Sequence, residues 1–105
     1  MKSPFKLIYD NNLIQHLAEI DRKYHSLIQE TIREQLIYEP EVETLNRKPL
    51  VRPTDSGATW ELRFGPGNRF RVFYETDSIS REVNILAIGI KERNRLFIGG
   101  KEYNL

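Results

Sequence analysis

Leu13, Leu17 and Ile20, with Ile14 beside them, recur at helical spacing after Asp10, Asn11 and Asn12, residue types that cap helix N-termini. The same period returns over residues 24–37, where Leu27, Ile28, Ile32 and Leu36 form one stripe, and Pro40 closes the segment. Ahead of both, PFKLIY (residues 4–9) alternates enough to predict a strand. Pro40, Pro49 and Pro53 interrupt residues 39–55 and predict a long ordered loop. Beyond it the period drops to two, predicting strands at 59–64, 69–75 and 82–90, joined by GPGN and TDSIS. EVNILAIGI, apolar at nearly every position, reads as a central strand covered on both faces. The expected architecture is α+β: a small antiparallel sheet of about four strands packed against two N-terminal helices, one domain over residues 1–105.

The stretch WELRFGPGNRFRVFYE (60–75) yields a register. A two-residue loop of Pro66 and Gly67 pairs Arg63 with Phe70 and mixes charge with aromatics on one face, against the pleat. A three-residue loop, Pro66 to Asn68, instead pairs Phe64 with Phe70, Leu62 with Val72 and Trp60 with Tyr74. All six apolar groups then share one face, and Arg63 stands across from Arg71 on the other, with Arg69 adjacent. Directly opposed like charges destabilise a sheet by about 0.2–1 kcal/mol. Arginine's planar fork of donors matches phosphate oxygens, so arginines converging on one face suit an anion. The plainer account is a solvated ladder in which Glu61 and Glu75 neutralise them.

Charge sharpens the picture. The net charge is +1, but residues 1–45 carry five Lys or Arg against eight Asp or Glu, and residues 46–105 carry eleven against seven. The basic half also contains NRKP (46–49) and IKERNR (90–95), which place Arg47 and Lys48 before the sheet and Lys91, Arg93 and Arg95 where the chain leaves it. Three basic clusters meeting at one side of a small sheet point to a nucleic-acid partner. There is no cysteine and no apolar run near the roughly 20 residues of a membrane span. No secretory signal is visible at the start, so a cytoplasmic location is expected. No His, Cys or Asp set has metal spacing and no Gly-rich loop precedes a helix, so no metal and no cofactor is expected. His16 and His25 fall in the helices, away from the basic face, and Trp60 reads as core.

The order W-E-L-R-F, N-R-F-R-V-F-Y and I-L-A-I-G-I-K-E-R-N resembles the toxins of bacterial type II toxin-antitoxin systems, the RelE/ParE superfamily. The resemblance spans almost the whole chain and is strongest over residues 60–95. It implies a ribosome-dependent endoribonuclease that cuts mRNA without a metal, the ribose 2′-hydroxyl attacking the neighbouring phosphate to leave a cyclic phosphate. Carried over by motif, Arg71 contacts the scissile phosphate, Lys91 stabilises it or protonates the leaving oxygen, and Arg63 takes the second basic position of the preceding strand. The first basic position is occupied by Glu61, a departure suited to a general base. Phe97 stands where several relatives have tyrosine: it stacks on a base but passes no proton. Arg47, Lys48, Arg69, Arg93, Arg95 and Phe97 complete the expected RNA-binding set.

The same resemblance implies a cognate antitoxin that covers the basic face, with the ribosome and mRNA as the other partners. Two other classes fit the residues. A ParE-like poison of DNA gyrase works through protein contacts and needs no nuclease residues. A non-catalytic RNA- or protein-binding module uses the arginines only to dock phosphates.

Overall fold

The computed structural model describes residues 3–104. The chain runs β1 (Lys6–Tyr9), α1 (Leu13–Ala18), a 3-10 turn (Arg22–Tyr24), α2 (His25–Leu36), β2 (Arg47–Pro49), β3 (Trp60–Phe64), a 3-10 turn (Pro66–Asn68), β4 (Phe70–Asp77), β5 (Glu82–Glu92), β6 (Arg95–Ile98) and β7 (Lys101–Tyr103). None of the described helices is long and apolar enough to cross a membrane.

The α+β class is as expected, but among the described residues the sheet has seven strands rather than about four, and only α2 is a long helix. α1 stops after six residues, and Ile20, at the end of its apolar stripe, is buried just past it. Asp10 accepts the Asn12 N–H at 2.8 Å, turning the chain from β1 into α1. Asp21 does the same for Lys23 at 3.1 Å ahead of α2. The expected long loop contains β2, a three-residue strand whose charge and terminal proline hid it. Past β5, Arg93 (φ 60°) and Asn94 make a two-residue turn into β6, and Gly99 and Gly100 (φ 61° and 79°) make another into β7.

The strand order is β2-β3-β4-β5-β6-β7, all antiparallel, with β1 joining β5 in parallel. The hairpin register is the one a three-residue loop dictates: Trp60 opposite Tyr74, Leu62 opposite Val72, Arg63 opposite Arg71 and Phe64 opposite Phe70. β4 lines one edge of β5 from Glu82 to Ile90. On the other edge β1 covers Glu82 to Ile85 and β6 covers Gly89 to Glu92, which leaves a gap at residues 86–88. Tertiary contacts fill it. The Asp10 N–H reaches the Ile85 carbonyl at 3.0 Å, and His16 on α1 accepts the Ile88 N–H on Nδ1 at 3.3 Å.

The two sheet faces differ. On the helix face Ile28, Ile32 and Leu36 of α2 pack with Leu13, Ile20, Leu62, Phe70, Val72, Tyr74, Val83, Ile85 and Ile88 in the main core. Each such Ile or Leu contributes roughly 1.5–3 kcal/mol through burial. On the open face a smaller cluster gathers Phe73, Ala87 and Leu96 under Ala58 and Leu50 of the β2–β3 loop. Beyond that cluster the open face turns basic.

Candidate nucleic-acid interface

The pleat brings the basic side chains together. Arg63 and Arg71, opposed across β3 and β4, share the open face with Lys48 and Glu61, opposed across β2 and β3. Gly89 follows Arg71 in the same row and Ile98 follows Gly89. A β-carbon at Gly89 would come 2.7 Å from the Phe97 carbonyl oxygen, so the position takes no side chain and leaves the flank of Arg71 clear. Lys91 is two residues further along β5 on the same face.

Between the β3–β4 turn and the β5–β6 turn lies a cleft of about 460 Å³ walled by Arg69, Arg71, Lys91 and Arg93, with Glu92, Gly67 and Asn68 completing it. Arg71 is nearly buried and held from two sides: its Nε donates to the Asn68 carbonyl at 3.2 Å, and its Nη1 to Glu61 Oε1 at 3.4 Å. Burial pulls its guanidinium below the ordinary arginine value, while Glu61 pulls it back up and Arg63 pushes it down again. Arginine stays cationic at neutral pH regardless. Lys91 and Arg93 make no ion pair among the described residues. Arg69 Nε is buried without a hydrogen-bond partner among them, and its guanidinium lies 6.0 Å from the Phe70 ring centroid.

Glu61 sits beneath this arrangement, its side chain 4% exposed. Its Oε1 accepts from Arg63 Nε at 2.5 Å as well as from Arg71. Thus two of the basic groups already share one carboxylate, and Lys48 is 3.4 Å from Glu43.

Three of the expected RNA-binding residues lie elsewhere. Arg47, next to Lys48 in β2, points to the helix face and is buried there. Its Nε donates to the Val42 carbonyl at 2.9 Å, and its Nη1 to the carbonyl and side-chain oxygen of Gln35 at 2.9 and 2.7 Å. Arg95 pairs with Glu102 at 2.7 Å and lies against the Phe97 ring. Phe97 itself lines a small cleft with His16, Glu19 and Gly99, on the side of α1. The β6–β7 register instead brings Lys101 and Tyr103 to the open face, Tyr103 in the row of Lys91 and Leu96. The adjacent glycines after Ile98 were the signal for that hairpin.

His25 sits at the helix junction, its Nε2 within 2.9 and 2.8 Å of the Leu17 and Ile20 carbonyls. No group of three His, Cys, Asp or Glu side chains among the described residues is placed to hold a metal ion. Chemically, then, the open face offers guanidinium and ammonium donors to an anion, with one buried carboxylate among them.

No family model and no curated protein matches the sequence. Among solved structures, the fold is similar to that of a chain in the toxin-antitoxin complex RelBE2 from Mycobacterium tuberculosis. The TM-score is 0.62 at 20% identity, and the match covers 84% of this chain and 99% of that one.

Proposed function

We propose that the protein is the toxin of a toxin-antitoxin pair and that its open-face cleft binds and cleaves mRNA on the ribosome. The observation that carries this reading is the convergence of Arg69, Arg71, Lys91 and Arg93 on one cleft, with Lys91 free of any ion pair among the described residues. The likeness of fold to a chain of a toxin-antitoxin complex supports it.

In this reading Arg71, held by Asn68 and Glu61, presents its remaining donors to the non-bridging oxygens of a phosphodiester. The ribose 2′-hydroxyl attacks phosphorus and gives its proton to water, the bond to the 5′-oxygen breaks, and that oxygen leaves with a proton. The products are a 2′,3′-cyclic phosphate and a 5′-hydroxyl. Lys91 stabilises the charge that develops on phosphorus and, as the ammonium among the cleft's basic groups, donates the proton to the leaving oxygen. A cognate antitoxin is the expected partner, its acidic segment covering the same cleft.

A second reading, a module that docks phosphates without cutting, draws on the engagement of Glu61 Oε1 by two guanidiniums, which ties the cleft's carboxylate into the sheet. One experiment decides. In a reconstituted translation reaction, primer extension should detect cuts in ribosome-bound mRNA with the wild type and none with Arg71→Ala or Lys91→Ala. Intact mRNA with the wild type would overturn the nuclease reading, and inhibition of DNA supercoiling beside it would assign the gyrase-poison class.

A further inference from the structure

A buried carboxylate in the middle of an anion-binding face needs a reason. Glu61 is costly to bury unless paired and hydrogen-bonded, and both its ion pairs go to arginines that oppose each other across β3 and β4. Without a negative charge between them, Arg63 and Arg71 repel. Carboxylate and phosphoryl oxygens meet a guanidinium with the same geometry. Glu61 Oε1 therefore engages, from inside the sheet, donors of the kind an incoming phosphate engages from outside.

We propose that Glu61 is a built-in counter-anion: it holds the Arg63 and Arg71 guanidiniums side by side in the empty protein and holds down the affinity of the cleft for the phosphates of a polynucleotide. The proposal rests on the reading of this cleft as a phosphate site. Glu61 is a positioning residue here, acting through the arginines and transferring no proton. With Glu61 charged the three side chains sum to one positive charge, and with it neutralised they sum to two. The cost of that second charge is repulsion in the empty cleft, relieved when an anion binds. Neutralising Glu61 thus tightens anion binding and makes the fold lean on the anion for stability.

The test uses the full chain and a labelled single-stranded RNA octamer carrying 2′-O-methyl groups, which block cleavage, with affinity read by fluorescence anisotropy over a range of salt. Glu61→Gln should bind on the order of tenfold tighter than the wild type, and the fall of log K with log salt should steepen by up to about 0.7. In thermal melts Glu61→Gln should start lower than the wild type and gain more from added inorganic phosphate. The double variant Glu61→Gln/Arg63→Gln keeps the net charge and removes the repulsion, so it should melt above Glu61→Gln and gain no more from added phosphate than the wild type. It carries the test if the single variant does not fold. A folded Glu61→Gln that binds no tighter, equal phosphate-dependent gains in Glu61→Gln and the wild type, or a double variant no more stable than the single one would each overturn the counter-anion role. Arg71→Ala separates the two levels. If it keeps wild-type affinity, the phosphate reading of the cleft falls; if it loses affinity while Glu61→Gln gains none, only the role of Glu61 falls.

Discussion

Tyr74, in the middle of β4, donates its hydroxyl to the carbonyl of Pro40 at 2.7 Å. The pair ties the sheet to the segment after α2, deep in the helix-face core where both residues are buried. Burial pushes the phenol well above its ordinary value, so it stays a donor through any physiological pH. Tyr74→Phe leaves the Pro40 carbonyl without its donor. The expected loss is about 1–3 kcal/mol, measured as a lower urea midpoint at unchanged slope.

Arg47 does the same work from β2, and its substitution separates architecture from binding. Arg47→Met removes donors from the Val42 and Gln35 carbonyls and from the Gln35 side chain. Stability should fall by about 2–4 kcal/mol. RNA affinity, measured by anisotropy well below the melting temperature, should change less than twofold. Arg71→Ala should show the opposite balance.

Gly65, where β3 leaves the sheet, combines φ 84° and ψ −176° with a β-carbon position 2.3 Å from Phe70 Cδ2. Gly65→Ala meets both backbone strain and a collision with a buried ring, and should cost about 3 kcal/mol or more. Gly57 has a similar φ of 93° but nothing within 4 Å of its missing β-carbon. Gly57→Ala should cost about 1 kcal/mol. The difference between the two denaturation midpoints reads the collision with Phe70.

His16 gives the fold a pH dependence. Burial holds its imidazole below the ordinary value, and the charge of Asp10 opposes this only in part. The unfolded chain therefore binds the proton more readily than the folded one, and stability rises with pH. The contribution of His16 is intact above about pH 6.5 and is lost as the pH falls through that value toward the depressed folded one. Protonation of Nδ1 also removes the acceptor of the Ile88 N–H. Thermal melts at pH 7.5 and 5.5 should differ more for the wild type than for His16→Gln.

The parts of the fold legible in the sequence were those where two rows of large side chains had to agree. Trp60, Leu62 and Phe64 against Phe70, Val72 and Tyr74 admit one register, and Arg63 opposite Arg71 follows from it. Short polar strands gave no such constraint. Arg47 and Lys48 are neighbours in a three-residue strand, so they face opposite sides of the sheet, and nothing in NRKP says which faces which. Phe97 is placed by parity too: across the β5–β6 turn it pairs with Ile90, whereas Lys91 pairs with Leu96, so Phe97 faces the helix side and Lys91 the open side. Glu61 is buried with Arg63 and Arg71 as its ion-pair partners, a depth that the local alternation of charged and apolar residues does not encode.

The interrupted edge of β5 means that the sheet has one spine with two separate tenants. The N-terminal strand and the C-terminal ribbon lean on successive halves of it and share no ladder of their own. The alignment of Arg63 with Arg71 runs through β3 and β4 alone. A lesion in the ribbon that bears Lys101 and Tyr103 therefore reaches the two arginines only by way of β5, and leaves their own ladder paired.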